Sequence, residues 1–179
     1  MTDIIGIAYC SKPVGFSFKT VDEILTVSQR NNLQAALTGA LVYDNNNYLQ
    51  WLEGEPLEVR AVVERIFQDD RHTDIKLLTV NKLKGRWFPD WNMTAAVTQD
   101  ETLRGLKLVP HLSLANFDPQ DWSEADIVSF MNALSDYLTR RPAPKSELMP
   151  DNGSQRPRRV DPLSHLDRRL RNIAPDTLS

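Results

Sequence analysis

Cysteine is almost missing from this chain. Of 179 residues only Cys10 carries a thiol, which excludes an internal disulfide and a cysteine-built zinc site, and no other metal site is expected. An excess of positive charge is missing too: 21 Lys+Arg face 24 Asp+Glu for a formal charge of −3, so the chain as a whole has no field with which to release phosphate counterions, and nucleic acid is not an expected partner. Long apolar runs are absent. Stretches such as Leu77–Val80, interrupted by Thr79, fall far short of the roughly 20 residues a membrane span requires. The first residues, Met-Thr-Asp-Ile-Ile-Gly-Ile-Ala-Tyr, show neither the basic region nor the apolar core of a secretory signal, so a cytoplasmic location is expected. What is left is a globular composition, long enough for one domain and a remainder.

Proline and glycine mark where that remainder begins. Residues 140–179 hold six of the 11 prolines but one of the seven glycines, and their nine basic and five acidic side chains give +4, leaving −7 for the rest. A Pro/Arg-rich segment with scattered apolar residues buries too little surface to offset its ordering entropy, so 140–179 is expected to be a flexible tail, with one short helix near Pro162–Asn172. Upstream, Ser123 with Asp126 three residues later opens a helix whose Ile127, Phe130, Met131, Leu134 and Leu138 form an apolar stripe. That stripe needs the preceding domain or a second copy of the chain to lie on. The expected units are therefore 1–98, a connector and helix over 99–139, and the tail.

Within the first unit, Ile4–Ala8 reads as a strand with Ile5, Ile7 and Tyr9 on one face. Thr20, with Glu23 at the capping-box position, opens a helix carrying Val21, Ile24, Leu25 and Ser28 at helical spacing. Leu37–Tyr43 and Tyr48–Glu53 are strands joined by Asp44-Asn45-Asn46-Asn47, residues that tolerate a left-handed hairpin turn. Pro56 opens a second helix with Val59, Val62, Val63, Ile66 and Phe67 on one face. Ile75–Leu83 and Asn92–Val97 complete a β-α-β-β-α-β-β order, the ferredoxin-like α+β plan with both helices on one face of a mixed sheet. That plan hosts many functions and names none.

Polar residues sit where apolar ones belong. The stripe of the first helix turns into Ser28, Asn31 and Asn32, which either cap the helix end or are buried amides that must find partners. Alternation puts Gln50 on the face of Tyr48 and Leu52, opposite Leu49 and Trp51, so it is either an edge residue facing water or a buried primary amide. A Gln, a Tyr and an Asn converging beneath one helix would suit a planar, heteroatom-rich ligand. Arg65, Asp69, Arg71 and His72 end the second helix, as a surface ion pair and dipole-matched cations or as groups that reach a sugar-like or phosphate moiety. Trp87, Phe88, Trp91 and Met93 crowd the segment before the last strand.

Five fragments in order, Tyr9-Cys10-Ser11, Asn32 before Leu37-Thr38-Gly39-Ala40-Leu41, Tyr48-Leu49-Gln50-Trp51-Leu52-Glu53-Gly54, Asp69-Asp70-Arg71-His72 and Trp91-Asn92-Met93, resemble the BLUF family of flavin-using blue-light sensors. The resemblance covers residues 2–97. It implies FAD or FMN held noncovalently between the two helices, with Tyr9 as the electron and proton donor to the photoexcited flavin and Gln50 bridging Tyr9 to the ring. Asn32, with Asn31 and Ser28 beside it, matches the Asn that binds the ring's polar edge. Arg65, Asp69, Arg71 and His72 match positions around the ring edge and side chain, and Trp91 and Met93 match the pair that relays the signal.

The same resemblance implies a photoreceptor and not an enzyme. No output domain is recognisable in the sequence, so the signal is expected to pass to a separate downstream protein or through self-association as a homo-oligomer. The competing readings are a flavin-dependent oxidoreductase using the same pocket and a ligand-free ferredoxin-like interaction module. Trp51, next to Gln50, is a candidate competing electron donor, and Tyr48 stands where an apolar aromatic is expected. The helix over Ile127–Leu138 is the candidate relay to a partner.

Overall fold

The computed structural model describes residues 3–90, 92–97, 117–140 and 162–173. Five strands, β1 (Ile4–Pro13), β2 (Thr38–Tyr43), β3 (Tyr48–Gly54), β4 (His72–Leu83) and β5 (Thr94–Val97), form one sheet in the order β4-β1-β3-β2-β5. All neighbours are antiparallel except β2 and β5, which run parallel and make the sheet mixed. Helices α1 (Phe18–Gln34) and α2 (Pro56–Phe67) connect the strands. This is the expected ferredoxin-like α+β plan.

Period-two alternation sorts the sheet into two faces. Ile5, Ile7, Tyr9, Leu41, Tyr48 and Leu52 enter one core with residues of α1 and α2. Ala8, Ala40, Val42, Leu49 and Trp51 enter a second core with α3 (Glu124–Thr139). The apolar stripe of α3 is thus buried on the chain's own sheet, with Ile127, Phe130, Met131 and Leu134 no more than 1% exposed, and does not wait for a second copy. Its start follows the sequence: Ser123 and Asp126 form a reciprocal capping box.

Helix α4 (Pro162–Ile173) lies in the segment read as a flexible tail, close to the short helix expected there. It is docked: Leu166 and Leu170 are fully buried in the α1/α2-side core, Arg60 of α2 makes a bidentate contact to Asp167 at 2.6 and 3.1 Å, and Arg169 reaches Glu124 of α3 at 2.7 Å. A spacing of four residues puts both leucines on one helical face, enough once α2 and β4 supply the other half of the contact. The rest of the Pro/Arg-rich stretch, and the connector over 98–116, lie outside the described residues.

Three local expectations differ. The N-cap of α1 is Ser17, whose hydroxyl accepts from Thr20 N at 3.0 Å, because starting one turn earlier adds backbone hydrogen bonds and Ser17 caps as well as Thr20 does. The β2–β3 turn needs no left-handed residue; Asp44 Oδ1 accepts from the amides of Asn46 and Asn47 at 2.8 and 2.7 Å, and positive φ among the described non-glycine residues occurs only at Ala36 and Asp74. Helix α2 ends at Phe67 with Gln68 as C-cap, so Arg71 and His72 do not serve its dipole: His72 opens β4 and pairs with Pro13. Among the described residues no helix is long and apolar enough to cross a membrane.

Candidate functional site

Between α1 and α2, above the sheet, lies a cleft with about 660 Å³ of empty space, its open mouth included. Mostly apolar walls with a few convergent polar groups suit a small-molecule ligand. Tyr9 of β1, Ser28, Asn31 and Asn32 of α1, Gln50 of β3, Arg65 of α2 and Asp69, Arg71 and His72 after it all line this cleft, so nine residues singled out in the sequence meet at one place. Met93 touches it through Gln50. Trp91 lies outside the described residues.

The floor is set by strand pairing. Tyr9 and Gln50 are cross-strand partners of β1 and β3, and the Tyr9 hydroxyl donates to Gln50 Oε1. Gln50 is 3% exposed, a buried amide and not an edge residue; its Nε2 faces Met93 Sδ at 3.8 Å. Burial, reinforced by the negative charge of Asp69, pushes the Tyr9 phenol far above its ordinary value, so it stays a protonated donor.

Asn32 does not cap α1. It is 1% exposed and donates across the cleft wall to Asn92 O at 2.7 Å, while its Oδ1 is buried without a partner among the described residues. The end of α1 is closed by backbone bonds instead, Ala35 N to Asn31 O and Leu37 N to Asn32 O. Tyr48 is in the same condition: 3% exposed, lining the cleft, its hydroxyl buried and unpartnered. Burial pushes its phenol up to about 12.

The far end carries charge. Asp69 pairs with Arg71, not Arg65: the guanidinium donates to both carboxylate oxygens in three contacts, at 2.5 Å for its Nη2, and the Arg71 amide adds a fourth at 3.0 Å. Burial raises the Asp69 carboxyl, but these bonds outweigh it and hold the group below the usual range. His72 is a wall fixed by protein partners. Its Nε2 donates to the Ile66 carbonyl at 3.0 Å, so in the neutral ring Nδ1 accepts from Ser11 Oγ at 2.8 Å. Arg65, exposed on the last turn of α2, stands at the rim.

Sequence reasoning missed the apolar walls Ile24, Val27, Leu41, Val62 and Ile66, whose helical and strand periodicity marks them only as core. It also missed Gln29, which donates to Met93 O at 3.0 Å and ties α1 to the start of β5. Trp51 is on the opposite face from the cleft, stacked on Trp87 with centroids 4.7 Å apart and bonded to Glu53 Oε2 at 3.0 Å. Alternation on β1 turns Cys10 away from the face of Tyr9; it is fully buried, its thiol pushed up to about 12 by burial, with Lys76 pulling the other way. Neither residue belongs to the site. No cluster of His, Cys, Asp and Glu suited to a metal occurs among the described residues.

Comparison with known proteins bears on this cleft. The family model described as sensors of blue light using FAD, BLUF, matches residues 4–94. A photoactivated adenylate cyclase beta subunit of Euglena gracilis is 31% identical over 100 residues, 55% of this chain and 11% of that one. The chain thus spans about a tenth of that relative's length. A bacterial light-regulated adenylyl cyclase superimposes with a TM-score of 0.53 at 33% identity, covering 55% of this chain and 29% of that one. The dark-state structure of BlrB, a BLUF protein, superimposes with a TM-score of 0.64 at 22% identity over 76% of this chain and 98% of that one, a likeness of fold.

Proposed function

The chain belongs to the BLUF family of flavin-binding blue-light sensors, and on that premise we propose that the α1–α2 cleft holds the flavin and that Tyr9 and Gln50 are its light-operated switch. The observation that carries this reading is the buried Tyr9–Gln50 hydrogen bond in the floor of a cleft lined by an unpartnered amide oxygen, Asn32 Oδ1. A buried orphan acceptor costs free energy unless a ligand donor meets it, and an N–H on a planar heterocycle is such a donor. The residues present therefore fit FAD or FMN. Asn32, with Ser28 and Asn31 beside it, and Gln50 would hold the ring's polar edge; Arg65, Asp69, Arg71 and His72 would frame the end where the side chain leaves.

Bound flavin supplies absorption of blue light and, once excited, a strong one-electron oxidant. With flavin bound as the electron acceptor, Tyr9 would be the donor, its hydroxyl passing a proton toward Gln50 Oε1; electron and proton would both return, so the protein is not consumed. Rotation of the Gln50 amide while its bond to Tyr9 is broken would leave it reversed. Its two ends differ in hydrogen-bonding sense, so reversal exchanges donor for acceptor. The oxygen then faces Met93 Sδ, which cannot donate, and the contact at 3.8 Å is lost. Met93 stands one residue before β5, held to α1 through Gln29, so losing that contact frees the start of an edge strand. Met93, with Trp91, is the relay from the cleft to the sheet edge.

The output is a separate downstream protein or a second copy of the chain, and the protein is a sensor without catalytic turnover. Residues 1–98 are the sensing unit and α3 its extension on the opposite face. The family match favours this reading over an oxidoreductase or a ligand-free module. Purified full-length chain tests it: the expected protein is yellow and releases FAD or FMN on denaturation, whereas a colourless chain that takes up neither on incubation would overturn the reading.

A further inference from the structure

Tyr9 and Tyr48 put two phenols in one cleft, and their hydroxyls differ in what they do. That of Tyr9 is committed to Gln50. That of Tyr48 is withdrawn from water, with no partner among the described residues. With no hydrogen-bond acceptor in reach among the described residues, Tyr48 is not placed to pass on a proton as Tyr9 does. It is an unspent hydrogen-bond donor.

Strand register places it along the cleft. On β3, Gln50 lies opposite Tyr9, and Tyr48, one pleat further, opposite Ser11. Ser11 bonds His72, and Pro13 pairs with His72, so Tyr48 belongs to the end of the cleft framed by residues 69–72. The charges of Asp69 and Arg71 act on its phenol. Asn32 lies on the last turn of α1, which runs away from that end toward β2. One end of the cleft thus offers amides, the other a phenol and an ion pair.

Resting on the flavin reading, we propose that Tyr48 donates a hydrogen bond to a hydroxyl oxygen of the flavin's ribityl chain, adding a recognition element for the chain to those that recognise the ring. An O–H fits a polyol oxygen, which both donates and accepts, and an aromatic without the hydroxyl leaves that oxygen without this donor.

The test is a fluorescence-quenching titration of the full-length chain, stripped of flavin, with riboflavin and with lumiflavin, which has the ring and no ribityl chain. Tyr48→Phe is expected to bind riboflavin about three- to tenfold more weakly than wild type and lumiflavin equally well. Its unliganded melting temperature is expected to be unchanged or higher, since the hydroxyl it removes has no partner there. Equal riboflavin affinity in variant and wild type overturns the proposal. An equal loss for riboflavin and lumiflavin also overturns it, by assigning the hydroxyl to the ring. Wild-type protein that binds neither compound would instead overturn the flavin reading on which the proposal rests.

Discussion

Tyr9 and Gln50 face each other across β1 and β3, and the bond between their side chains is made by residues whose backbones the sheet already pairs. The relationship is therefore rigid in the direction that matters. Flanking pairs Ile7 with Leu52 and Ser11 with Tyr48 hold the register, and a slip of one residue would move Gln50 to the face of Trp51. A switch that works by turning one amide in place needs such a fixed partner.

Three residues further along β3, on the opposite face, Glu53 has no exposed surface and accepts four hydrogen bonds: from Thr38 Oγ1 at 2.9 Å, Phe88 N at 2.7 Å, Trp51 Nε1 at 3.0 Å and Trp87 N at 2.9 Å. Glu53→Gln turns one acceptor oxygen into a donor that faces two donors. The expected loss is about 1–3 kcal/mol. Urea unfolding followed by tryptophan fluorescence checks it, since Trp51 and Trp87 report directly on this clasp.

Helix α4 contributes to stability through its buried leucines. Leu166→Ala is expected to cost about 2–5 kcal/mol, and Asp167→Ala, which leaves the partly exposed Arg60 its contact to Glu64 at 3.6 Å, about 1 kcal/mol or less. Equilibrium denaturation of the full-length variants measures both. A Leu166→Ala chain as stable as wild type would mean that α4 is not docked in solution.

The Asp69–Arg71 pair gives stability an acid limit. The folded-state pKa of Asp69 lies below its ordinary value of 3.8, so the unfolded chain binds the proton more readily. Its contribution is complete above the unfolded value and is lost as pH falls through the folded one. Melting temperatures of wild type and Asp69→Asn are expected to differ at pH 6 and to converge as pH drops below about 4; a gap that persists at low pH would show that the carboxylate's charge is not the source.

Much of the fold and of the cleft is legible in the amino-acid sequence. Alternation in Tyr48-Leu49-Gln50-Trp51-Leu52 assigns the two faces of β3, and nine cleft residues follow from motif and helical spacing. Docking of α4 is not legible there. Leu163, Leu166, Leu170 and Ile173 are scattered among arginines and read as solvated until Arg60 and the β4 edge provide the opposing surface. The strand start at His72 is hidden in the same way. A cationic pair after a helix fits the helix dipole equally well, and only the pairing with Pro13 decides. Asn32 stands out in its helix as an anomaly, but only the third dimension shows which of its two polar atoms is satisfied.

The central claim, that Tyr9 and Gln50 are the switch, is tested most directly by the difference absorption spectrum between dark and blue-illuminated protein. Wild type is expected to show a reversible red shift of the flavin bands without net reduction. Tyr9→Phe and Gln50→Leu variants that still carry flavin are expected to show no such shift. A red shift of undiminished size in either variant would contradict that claim.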